Sequence, residues 1–422
     1  MRTVSLVLAF VLGSAATGGA ASLPTAKPED VGLSSARLAR ITETLKADVE
    51  RGRIPGAVVV IARPGRIAYA EAVGFRDKTA GATMSTDAIF RIASMTKPLV
   101  SVAIMMLYED GQLFVNDPIS KYIPSIGTMR VGVERLDPMT GKSVLTLVPA
   151  EREMSLQDLL RHTSGLTYGN RGTTAIHQAY PTSSNAASRE LTSAEFIDRL
   201  AKAPLLFHPG TRWEYGFSTD VLGRVVEIVS GKSLGAFLTE RLFEPLRMAD
   251  TAFWVPPAKR GRLAQALPID PDTGKAVTIP DVTLPAKFEC GGGCAVSTAA
   301  DYARFAQMLL GRGTLEGTHI LGRKTVEYMT ADHLAPGITG AGTYSPGPGY
   351  GFGLGFAVRR ETGIANLTGT AGDYTWGGAY GTAFWIDPKE QLIVVSMTQA
   401  PGAIRTHYRQ LLKTFVLQTI QD

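Results

Sequence analysis

A serine and a lysine separated by two residues, Ser94 and Lys97, form the pair whose spacing most suggests covalent chemistry. They lie between the strand-like segment 89–92 and the apolar-periodic run 99–107, so they are predicted to begin a helix. Residues at i and i+3 share a helix face, with Cβ atoms about 5–6 Å apart, which is close enough for a hydrogen bond between hydroxyl and amine. A lysine in this place can take the hydroxyl proton and make serine a nucleophile.

The start of a helix also favours this chemistry, because the backbone N–H groups and the helix dipole stabilise developing negative charge. The pair alone is a weak signal, since a serine and a lysine with this spacing on a surface helix are usually two solvated side chains. The prediction therefore depends on the sequence around the pair.

Further motifs accompany the pair. They are, in chain order, Phe90-Arg91-Ile92-Ala93, Glu109-Asp110-Gly111, Asp117-Pro118, His162-Thr163-Ser164-Gly165-Leu166, Tyr215 and Ser297-Thr298-Ala299. Together with Ser94-Met95-Thr96-Lys97-Pro98, they resemble the serine β-lactamase and penicillin-binding protein family over nearly the whole mature chain. The resemblance implies a fold of the β-lactamase/transpeptidase type, with Ser94 as nucleophile and Lys97 as its activating base.

The same resemblance assigns a second acid/base group. In the family a tyrosine from the helical region has this role, and Tyr215 occupies the matching position. The alternative for Tyr215 is a packed aromatic residue whose hydroxyl is satisfied elsewhere. Family members often have asparagine or serine two positions later, where this chain has Phe217 and where Ser218 is displaced by one. Phe217 is therefore expected among the substrate-binding residues.

The third family motif lies on a sheet strand and usually reads Lys-Thr-Gly or His-Thr-Gly in members that cleave lactams. This chain has Trp376-Gly377-Gly378, which resembles the family VIII esterases, a branch similar to class C β-lactamases. Trp376, Gly377 and Gly378 are expected to bind substrate, the glycines by letting it approach the strand backbone. The resemblance also implies an oxyanion hole formed by the N–H groups of Ser94 and Ala379. The alternative for Trp376 is a core residue beside a β-bulge.

The elements that must position these residues are visible at both ends of the chain. Apolar periodicity and turn signals predict a helix that is capped by Ser34 or Ser35 and runs to about residue 50, and a second helix over 404–417. They also predict strands over 57–62, 67–72, 378–386 and 392–397. The middle of the chain instead carries helical segments, with capping residues at Ser155, Thr192 and Thr298. The polar stretch 167–189 is predicted to be a long loop, either a lid or binding loop or disordered filler.

The simplest arrangement of these predicted helices and strands is an α+β fold of the α/β sandwich type. Both terminal hairpins join one antiparallel sheet flanked by helices, and a mostly helical domain is inserted between them. We expect a sheet domain built from 22–95 and 290–422, a helical domain over 96–289, and an active site in the cleft between them.

Residues 1–21 have the pattern of an export signal, with Arg2 as the positive region, an apolar core over 4–12 and small residues up to Ala21. The protein is expected to be exported, periplasmic or secreted, and to lack a membrane anchor, because the apolar run is too short to span a bilayer. In an oxidising compartment Cys290 and Cys294 form a small-loop disulfide or remain two inert thiols.

Composition argues against several function classes. The net charge of +5 is spread along the chain without a basic block, so no nucleic-acid partner is expected. The six histidines show no spacing that places two on one helix face, so no metal site is expected. The proposed chemistry needs no cofactor. The expected partner is a small-molecule ester, and the oligomeric state is left open.

One further motif competes for the role of nucleophile. Gly231-Lys232-Ser233-Leu234-Gly235 matches the G-x-S-x-G elbow of α/β-hydrolases, which requires a strand before it and a helix after it. The preceding run 221–229 has the periodicity of a helix instead, so Ser233 is expected to cap a helix.

The sequence therefore predicts a serine carboxylesterase that hydrolyses small to medium esters through an acyl-enzyme on Ser94. A β-lactamase or a peptidase or carboxypeptidase acting on D-amino-acid peptides is an alternative, against which Trp376 argues because the expected cation is missing. An acyltransferase is a second alternative and shares every residue assigned above. A catalytically inactive penicillin-binding-like protein is a third, and the intact Ser94, Lys97 and Tyr215 argue against it.

Overall fold

The computed structural model describes residues 22–141, 143–335, 338 and 346–422, so the predicted export signal at 1–21 lies outside the described residues. The strands of the described residues are, in chain order, β1 (Gly56–Ala62), β2 (Ile67–Asp77), β3 (Ala82–Thr83), β4 (Phe90–Arg91), β5 (Val131–Leu136), β6 (Ser143–Val148), β7 (Val296–Ser297), β8 (Thr314–Leu315), β9 (Thr318–His319), β10 (Tyr350–Phe352), β11 (Ala357–Arg359), β12 (Tyr374–Gly377), β13 (Ala383–Asp387) and β14 (Leu392–Thr398).

The helices of the same residues are α1 (Ser35–Glu50), α2 (Thr96–Glu109), α3 (Pro124–Gly127), α4 (Leu156–Leu160), α5 (Ala175–Gln178), α6 (Ala187–Glu190), α7 (Ser193–Leu200), α8 (Ser218–Ser230), α9 (Leu234–Leu238), α10 (Ala299–Leu310), α11 (Arg323–Met329) and α12 (Ile404–Leu417). Several begin at a side-chain cap read from the sequence. Ser34 accepts a hydrogen bond from the Arg37 N–H at the start of α1, and Thr298 accepts one from the Asp301 N–H at the start of α10.

The terminal hairpins meet in the middle of one antiparallel sheet. In the described part of the chain this sheet has eight strands, in the order β10-β11-β12-β13-β14-β1-β2-β3. β1 pairs with β14 so that Ala57 lies opposite Thr398, and β2 and β13 flank this central pair. The predicted α+β fold, with a sheet built from both ends of the chain and flanked by helices, is confirmed.

Helices cover both faces of the sheet. α1 and α12 pack on one face around Ile41, Leu45 and Leu412, and α10 packs against β1, β13 and β14 on the other. All residues of β1 and β14 are buried. Because a strand covered on both faces needs apolar side chains at nearly every position, these two strands appear in the sequence as nearly continuous apolar runs rather than as alternating ones.

The structure differs from the prediction at the strand expected over 378–386. β12 ends at Gly377 and β13 begins at Ala383, and a tight turn connects them. The turn is closed by the Gly378 N–H, which donates to the Thr382 carbonyl at 2.8 Å, and Gly381 adopts a φ of 107° that disfavours other residues. The predicted strand was wrong over its first five residues because apolar composition does not reveal this turn.

The segment between the two sheet-forming parts holds α2 to α9. Residues 96–107 of α2 are all buried, and this helix packs against α8. The same segment also contains the β5–β6 hairpin and a long irregular stretch after residue 249. The domain boundaries expected from the sequence stay a prediction. Among the helices of the described residues, none combines the length and apolarity that crossing a bilayer requires.

Candidate active site

Ser94 lies where the chain turns from β4 into α2. It occupies a 3-10 turn, Ala93–Met95, that continues directly into the α-helix. Ala93 has a φ of 45°, an uncommon value for a residue with a side chain. Hydrogen bonds hold this turn, because Thr96 Oγ1 donates to the Ala93 carbonyl at 2.7 Å and accepts from the Ala295 N–H at 3.1 Å. The strained turn places a partly exposed Ser94 at the base of a cleft.

Lys97 is buried one helical turn further on, with 1% of its surface exposed. Its Nζ lies 3.4 Å from Ser94 Oγ, 3.2 Å from the Tyr168 hydroxyl and 2.5 Å from the Gly292 carbonyl oxygen. These three acceptors match the three N–H donors of an ammonium group. Ser94 and Lys97 therefore lie within hydrogen-bond distance of each other, as the sequence predicts. The Tyr168 hydroxyl and the Gly292 carbonyl also contact the lysine amine.

Tyr215 also lies at this site, but it presents its ring to the lysine. Lys97 Nζ is 4.5 Å from the centroid of the Tyr215 ring, within the range of a cation–π contact. The Tyr215 hydroxyl accepts a hydrogen bond from Trp376 Nε1 at 3.3 Å. Two of the predicted site residues, Tyr215 and Trp376, are thus brought into direct contact across the cleft, and Tyr215 remains available to a substrate.

The phenol that contacts the lysine amine belongs to Tyr168, which the sequence reasoning did not select. Its ring packs against Tyr215 and Phe217 at centroid distances of 5.5 and 4.5 Å. Desolvation raises the pKa of Tyr168 well above its usual value, and the charges of Asp220 and Tyr215 act in the same direction. Tyr168 therefore stays a neutral phenol at ordinary pH. The available signal was its position in the loop 167–189, directly after the His162 to Leu166 motif.

Phe217 was expected to bind substrate, and the structure places it elsewhere. Its side chain is fully buried, 0% exposed, behind Tyr168 and against Phe196. Phe217 is absent from the described residues that line the cleft. The displaced Ser218 is also buried and hydrogen-bonds Ser164 at 2.9 Å. Phe217 thus supports the ring of Tyr168 from behind instead of replacing a polar contact to substrate.

The Trp376-Gly377-Gly378-Ala379 segment forms one wall of the cleft, at the end of β12. A Cβ on Gly377 would lie 2.5 Å from Arg409 Cζ, and a Cβ on Gly378 would lie 2.3 Å from the Ile92 carbonyl oxygen. The protein's own groups therefore crowd both glycines, most strictly Gly378, where the neighbour is backbone. The expected approach of substrate to these glycines stays a prediction.

Ala379 is suitably placed for the predicted oxyanion hole. It lines the same cleft as Ser94. No hydrogen bond involving the Ala379 N–H occurs within the described residues, so this donor is available to an oxygen in the cleft. The assignment of the oxyanion hole to Ser94 and Ala379 stays a prediction.

Cys290 and Cys294 are joined by a disulfide, with Cα atoms 5.2 Å apart. The loop that it closes belongs to the site, because the carbonyl of Gly292 in its middle accepts a hydrogen bond from Lys97. On the other side of the loop, the Gly292 N–H donates to Asp220 Oδ1 at 3.1 Å. A Cβ on Gly292 would lie 2.2 Å from Asp220 Oδ2, so glycine is required here.

Asp220 is a second residue that sequence reasoning missed. It lies in the first turn of α8, is 4% exposed and also accepts a hydrogen bond from Ser184 Oγ at 2.8 Å. Burial raises the pKa of Asp220, while the charge of Lys97 opposes that change. Asp220 thus fixes the glycine loop that contacts Lys97. Its spacing of five residues from Tyr215, across the start of a helix, was the only signal in the sequence.

The other predicted elements of the region are structural. Ser233 accepts a hydrogen bond from the Ala236 N–H and caps α9, as expected from the helix that precedes it. His162 follows α4, is 1% exposed and packs against Trp213 and Tyr215. Burial lowers the pKa of His162 well below its usual value, so it stays neutral at ordinary pH.

The cleft has a volume of about 560 Å³. One wall consists of the Trp376 segment and the first turns of α12, and the other comes from the loop that contains Tyr168, Asn170 and Asn185. A cavity of this size accommodates a small organic molecule. A nucleophile, a buried amine, a phenol and a free N–H therefore converge on one cleft, which is the arrangement that acyl transfer requires.

Comparisons with known proteins identify the family of the chain. The beta-lactamase family profile matches residues 41–414. Protein Rv1367c of Mycobacterium tuberculosis is 34% identical over 83% of this chain and 87% of its own length. Esterase EstB of Burkholderia gladioli is 31% identical over 90% of this chain and 94% of its own length.

A solved structure extends the likeness to three dimensions. EstCE1, a hydrolase with promiscuous acyltransferase activity, matches with a TM-score of 0.75 and 25% identity over 90% of this chain and 98% of its own. The extent of the family match and the identity to an esterase over most of both chains place the protein among the esterase-like members of this fold. The chain therefore belongs to the beta-lactamase family and is a serine hydrolase that acts on carboxylic esters.

Proposed function

We propose that the protein hydrolyses small to medium carboxylic esters through an acyl-enzyme formed on Ser94. The observation that carries this proposal is the 3.4 Å approach of Lys97 Nζ to Ser94 Oγ at the base of the cleft. The likeness to esterases and the tryptophan in the third motif support ester over lactam chemistry. The cleft volume of about 560 Å³ supports a small to medium substrate.

In the first half of the reaction Ser94 Oγ attacks the ester carbonyl carbon, and its proton passes to Lys97, which acts in its neutral amine form. The carbonyl oxygen becomes an oxyanion that the N–H groups of Ser94 and Ala379 stabilise. The bond between the carbonyl carbon and the alcohol oxygen then breaks, and the proton is relayed through Lys97 and Tyr215 to the leaving alcohol. Trp376, which donates to the Tyr215 hydroxyl, orients that relay.

In the second half a water molecule takes the place of the alcohol. It loses a proton to the same relay as it attacks the acyl carbon, and the bond to Ser94 Oγ breaks as the serine regains its proton. The products are the acid and the free enzyme. The neutral phenol of Tyr168 holds the lysine amine in place through both halves, because its hydroxyl lies 3.2 Å from Nζ.

The test compares the hydrolysis of p-nitrophenyl esters of increasing acyl length by the wild-type protein, by Ser94→Ala and by Ser233→Ala. Ser233→Ala is a matched control, because it removes a hydroxyl from a helix cap outside the cleft. We expect Ser94→Ala to lower kcat/KM on the order of a thousandfold or more and Ser233→Ala to leave it unchanged. Full activity in Ser94→Ala would exclude the acyl-enzyme on this residue.

Nitrocefin in the same assay addresses the lactam alternative. Little nitrocefin turnover beside rapid, Ser94-dependent ester cleavage supports the esterase. Dominant nitrocefin turnover moves the assignment to lactam chemistry, and inactivity towards both substrates favours a peptidase or an inactive binding protein.

Acyl transfer is a second candidate function, because EstCE1 is described as a hydrolase with promiscuous acyltransferase activity. Transfer differs from hydrolysis only in the acceptor, because an alcohol instead of water attacks the acyl-enzyme. Hydrolysis of a p-nitrophenyl ester in the presence of a primary alcohol distinguishes the two. Formation of the new ester at a rate that rises with alcohol concentration supports transfer, and release of acid alone contradicts it.

A further inference from the structure

Two arginines of the C-terminal helix line the active-site cleft. Arg405 and Arg409 are one turn apart in the first turns of α12, so they share a helix face. Both lie beside the Trp376 to Ala379 wall, in the same cleft as Ser94. Trp376 stands where lactam-cleaving members of the family carry a cation, and in this structure α12 brings two cations to the same cleft.

Hydrogen bonds to backbone carbonyls place the two guanidinium groups. Arg405 Nη1 donates to the Gly402 carbonyl at 3.0 Å and to that of Ala379 at 3.4 Å. Arg409 Nη2 donates to the carbonyls of Gly378 and Thr382. The carbonyl of Ala379 thus accepts a hydrogen bond from Arg405, and the N–H of the same residue is the proposed oxyanion donor. Arg405 is therefore bonded to the residue that would hold the oxyanion.

Neither arginine has a carboxylate partner. The described residues include every aspartate and glutamate of the chain, and none forms an ion pair with Arg405 or Arg409. Asp270 lies near Gly402, but its Oδ1 accepts hydrogen bonds from the N–H groups of Asp272 and Thr273 within its own turn. The two positive charges in the cleft are consequently unbalanced.

Two fully buried arginines elsewhere in the described residues are each paired with a carboxylate. Arg359 pairs with Asp373 at 2.9 Å, and Arg304 pairs with Glu316 at 2.8 Å. Arg91 has no close carboxylate, but it donates to the carbonyls of Pro280 and Ala264 and does not line the cleft. Of the three arginines that line the cleft in the described part of the chain, Arg171 is paired with Glu214, whereas Arg405 and Arg409 have no carboxylate partner.

The pKa shifts of both arginines indicate that a nearby anion would stabilise their charged forms. Burial lowers the pKa of Arg409 to about 10, the positive charge of Arg405 adds to that effect, and Tyr215 opposes it. Burial lowers the pKa of Arg405 in the same direction. The Nε of Arg409 is buried without a hydrogen-bond partner in the described residues. A charge that is desolvated without compensation costs stability, and a bound anion removes that cost.

We propose that Arg405, assisted by the charge of Arg409, binds a carboxylate of the substrate, so that the preferred substrates are esters that also carry a free carboxylate group. This inference rests on the proposed function, since it specifies the substrate class of the same cleft. Because Arg405 lies next to Ala379, the carboxylate is separated from the scissile carbonyl by a short linker, as in monoesters of small dicarboxylic acids or in esters of small hydroxy acids.

The test measures kcat/KM for two pairs of substrates that differ in one carboxylate. Mono-p-nitrophenyl succinate against p-nitrophenyl butyrate places the charge on the acyl side. 4-Acetoxybenzoate against phenyl acetate places it on the alcohol side. We expect the anionic member of one pair to be preferred by about tenfold or more, which is the effect of one hydrogen-bonded charge pair. The pair that shows the preference identifies the side on which the carboxylate lies.

Variants then assign the preference to Arg405. Arg405→Gln should reduce the ratio of anionic to neutral turnover by about tenfold, and Arg405→Lys should restore part of it, because charge without the second donor remains. The preference should also fall with added salt. Arg323→Gln, an exposed arginine of α11 paired with Glu327, is the matched control and should leave the ratio unchanged.

The two proposals fail in different ways. If neutral and anionic esters are hydrolysed equally in both pairs, or if Arg405→Gln keeps the full preference, the carboxylate subsite is excluded while the esterase proposal stands. If no ester is hydrolysed at all, the proposed function itself fails.

Discussion

The side-chain amine of Lys97 lies 3.2 Å from the hydroxyl of Tyr168, closer than it lies to Ser94 Oγ. Lys97, the proposed activating base, therefore contacts the phenol of Tyr168, to which the family resemblance assigned no role. Tyr215 contributes its ring to Lys97 and its hydroxyl to Trp376. The two tyrosines thus have separable roles, one in positioning the base and one facing the substrate.

Replacing each tyrosine by phenylalanine distinguishes these roles. We expect Tyr215→Phe to lower kcat by about 100-fold or more, because an acid/base group in the relay is lost. Tyr168→Phe should lower kcat by about tenfold with KM unchanged, because the lysine amine loses one hydrogen-bond partner. Tyr180→Phe, which removes a buried hydroxyl bonded to the Pro204 carbonyl outside the cleft, is the control. Equal kcat in Tyr168→Phe and wild type would contradict the positioning role.

The disulfide between Cys290 and Cys294 should influence catalysis as well as stability. It closes the loop whose Gly292 carbonyl contacts Lys97, so opening it frees that acceptor to move. We expect incubation with dithiothreitol to lower kcat by about tenfold for neutral esters, measured after thiol titration shows that the bond is reduced. The Cys290→Ser/Cys294→Ser protein should show the same low kcat and no response to the reductant. An unchanged kcat after complete reduction would exclude this coupling.

The two glycines after Trp376 should respond differently to alanine. In Gly377→Ala the new Cβ meets the guanidinium of Arg409, the far end of a flexible side chain that can move aside. In Gly378→Ala it meets the Ile92 carbonyl oxygen, which is backbone. We expect a loss of unfolding free energy of about 1 kcal/mol for the first and at least about 3 kcal/mol for the second. Gly261→Ala, which has open space around it, is the control in urea unfolding.

Asp158 should make the protein sensitive to acid. Desolvation acts to raise the pKa of Asp158, but hydrogen bonds from Arg152, the Ser155 N–H and Thr163 outweigh it and lower the pKa to about 2. A carboxyl whose pKa is depressed on folding stabilises the folded state above its unfolded pKa, near 3.9, and loses that contribution as pH falls towards 2. The loss amounts to about 2–3 kcal/mol of unfolding free energy.

Unfolding by urea at pH 7, 4 and 2.5 tests this expectation. Asp158→Asn should lower the unfolding free energy at pH 7 by about 3 kcal/mol, because Arg152 and Arg161 lose a buried partner. The Asp158→Asn substitution should also reduce the slope of the unfolding free energy against pH below pH 5. A wild-type protein and an Asp158→Asn variant with parallel pH profiles would show that other carboxyl groups dominate the acid response.

Local sequence signals determined much of the architecture. The helix caps at Ser34, Ser155 and Thr298 and the nearly continuous apolar runs of β1 and β14 were readable because each depends on neighbouring residues or on burial at every position. The Ser94–Lys97 pair was readable for the same reason, since a separation of three residues on a helix fixes the distance between side chains. The turn between β12 and β13 was missed because its residues have the apolar composition of a strand and because the hydrogen bonds it accepts from Arg409 are tertiary.

Only the tertiary structure decided which distant groups meet at Lys97. Tyr168 comes from a loop 71 residues away in sequence and the Gly292 carbonyl from one 195 residues away, and no local pattern encodes such contacts. The same holds for Arg405 and Arg409, which reach the cleft because α12 packs on the sheet whose strand β12 ends there. The sequence by itself thus determined that Ser94 and Lys97, the proposed nucleophile and base, lie together, because their geometry is local. The neighbours that surround them and the charge of the cleft follow from the packing of α8, α12 and the sheet.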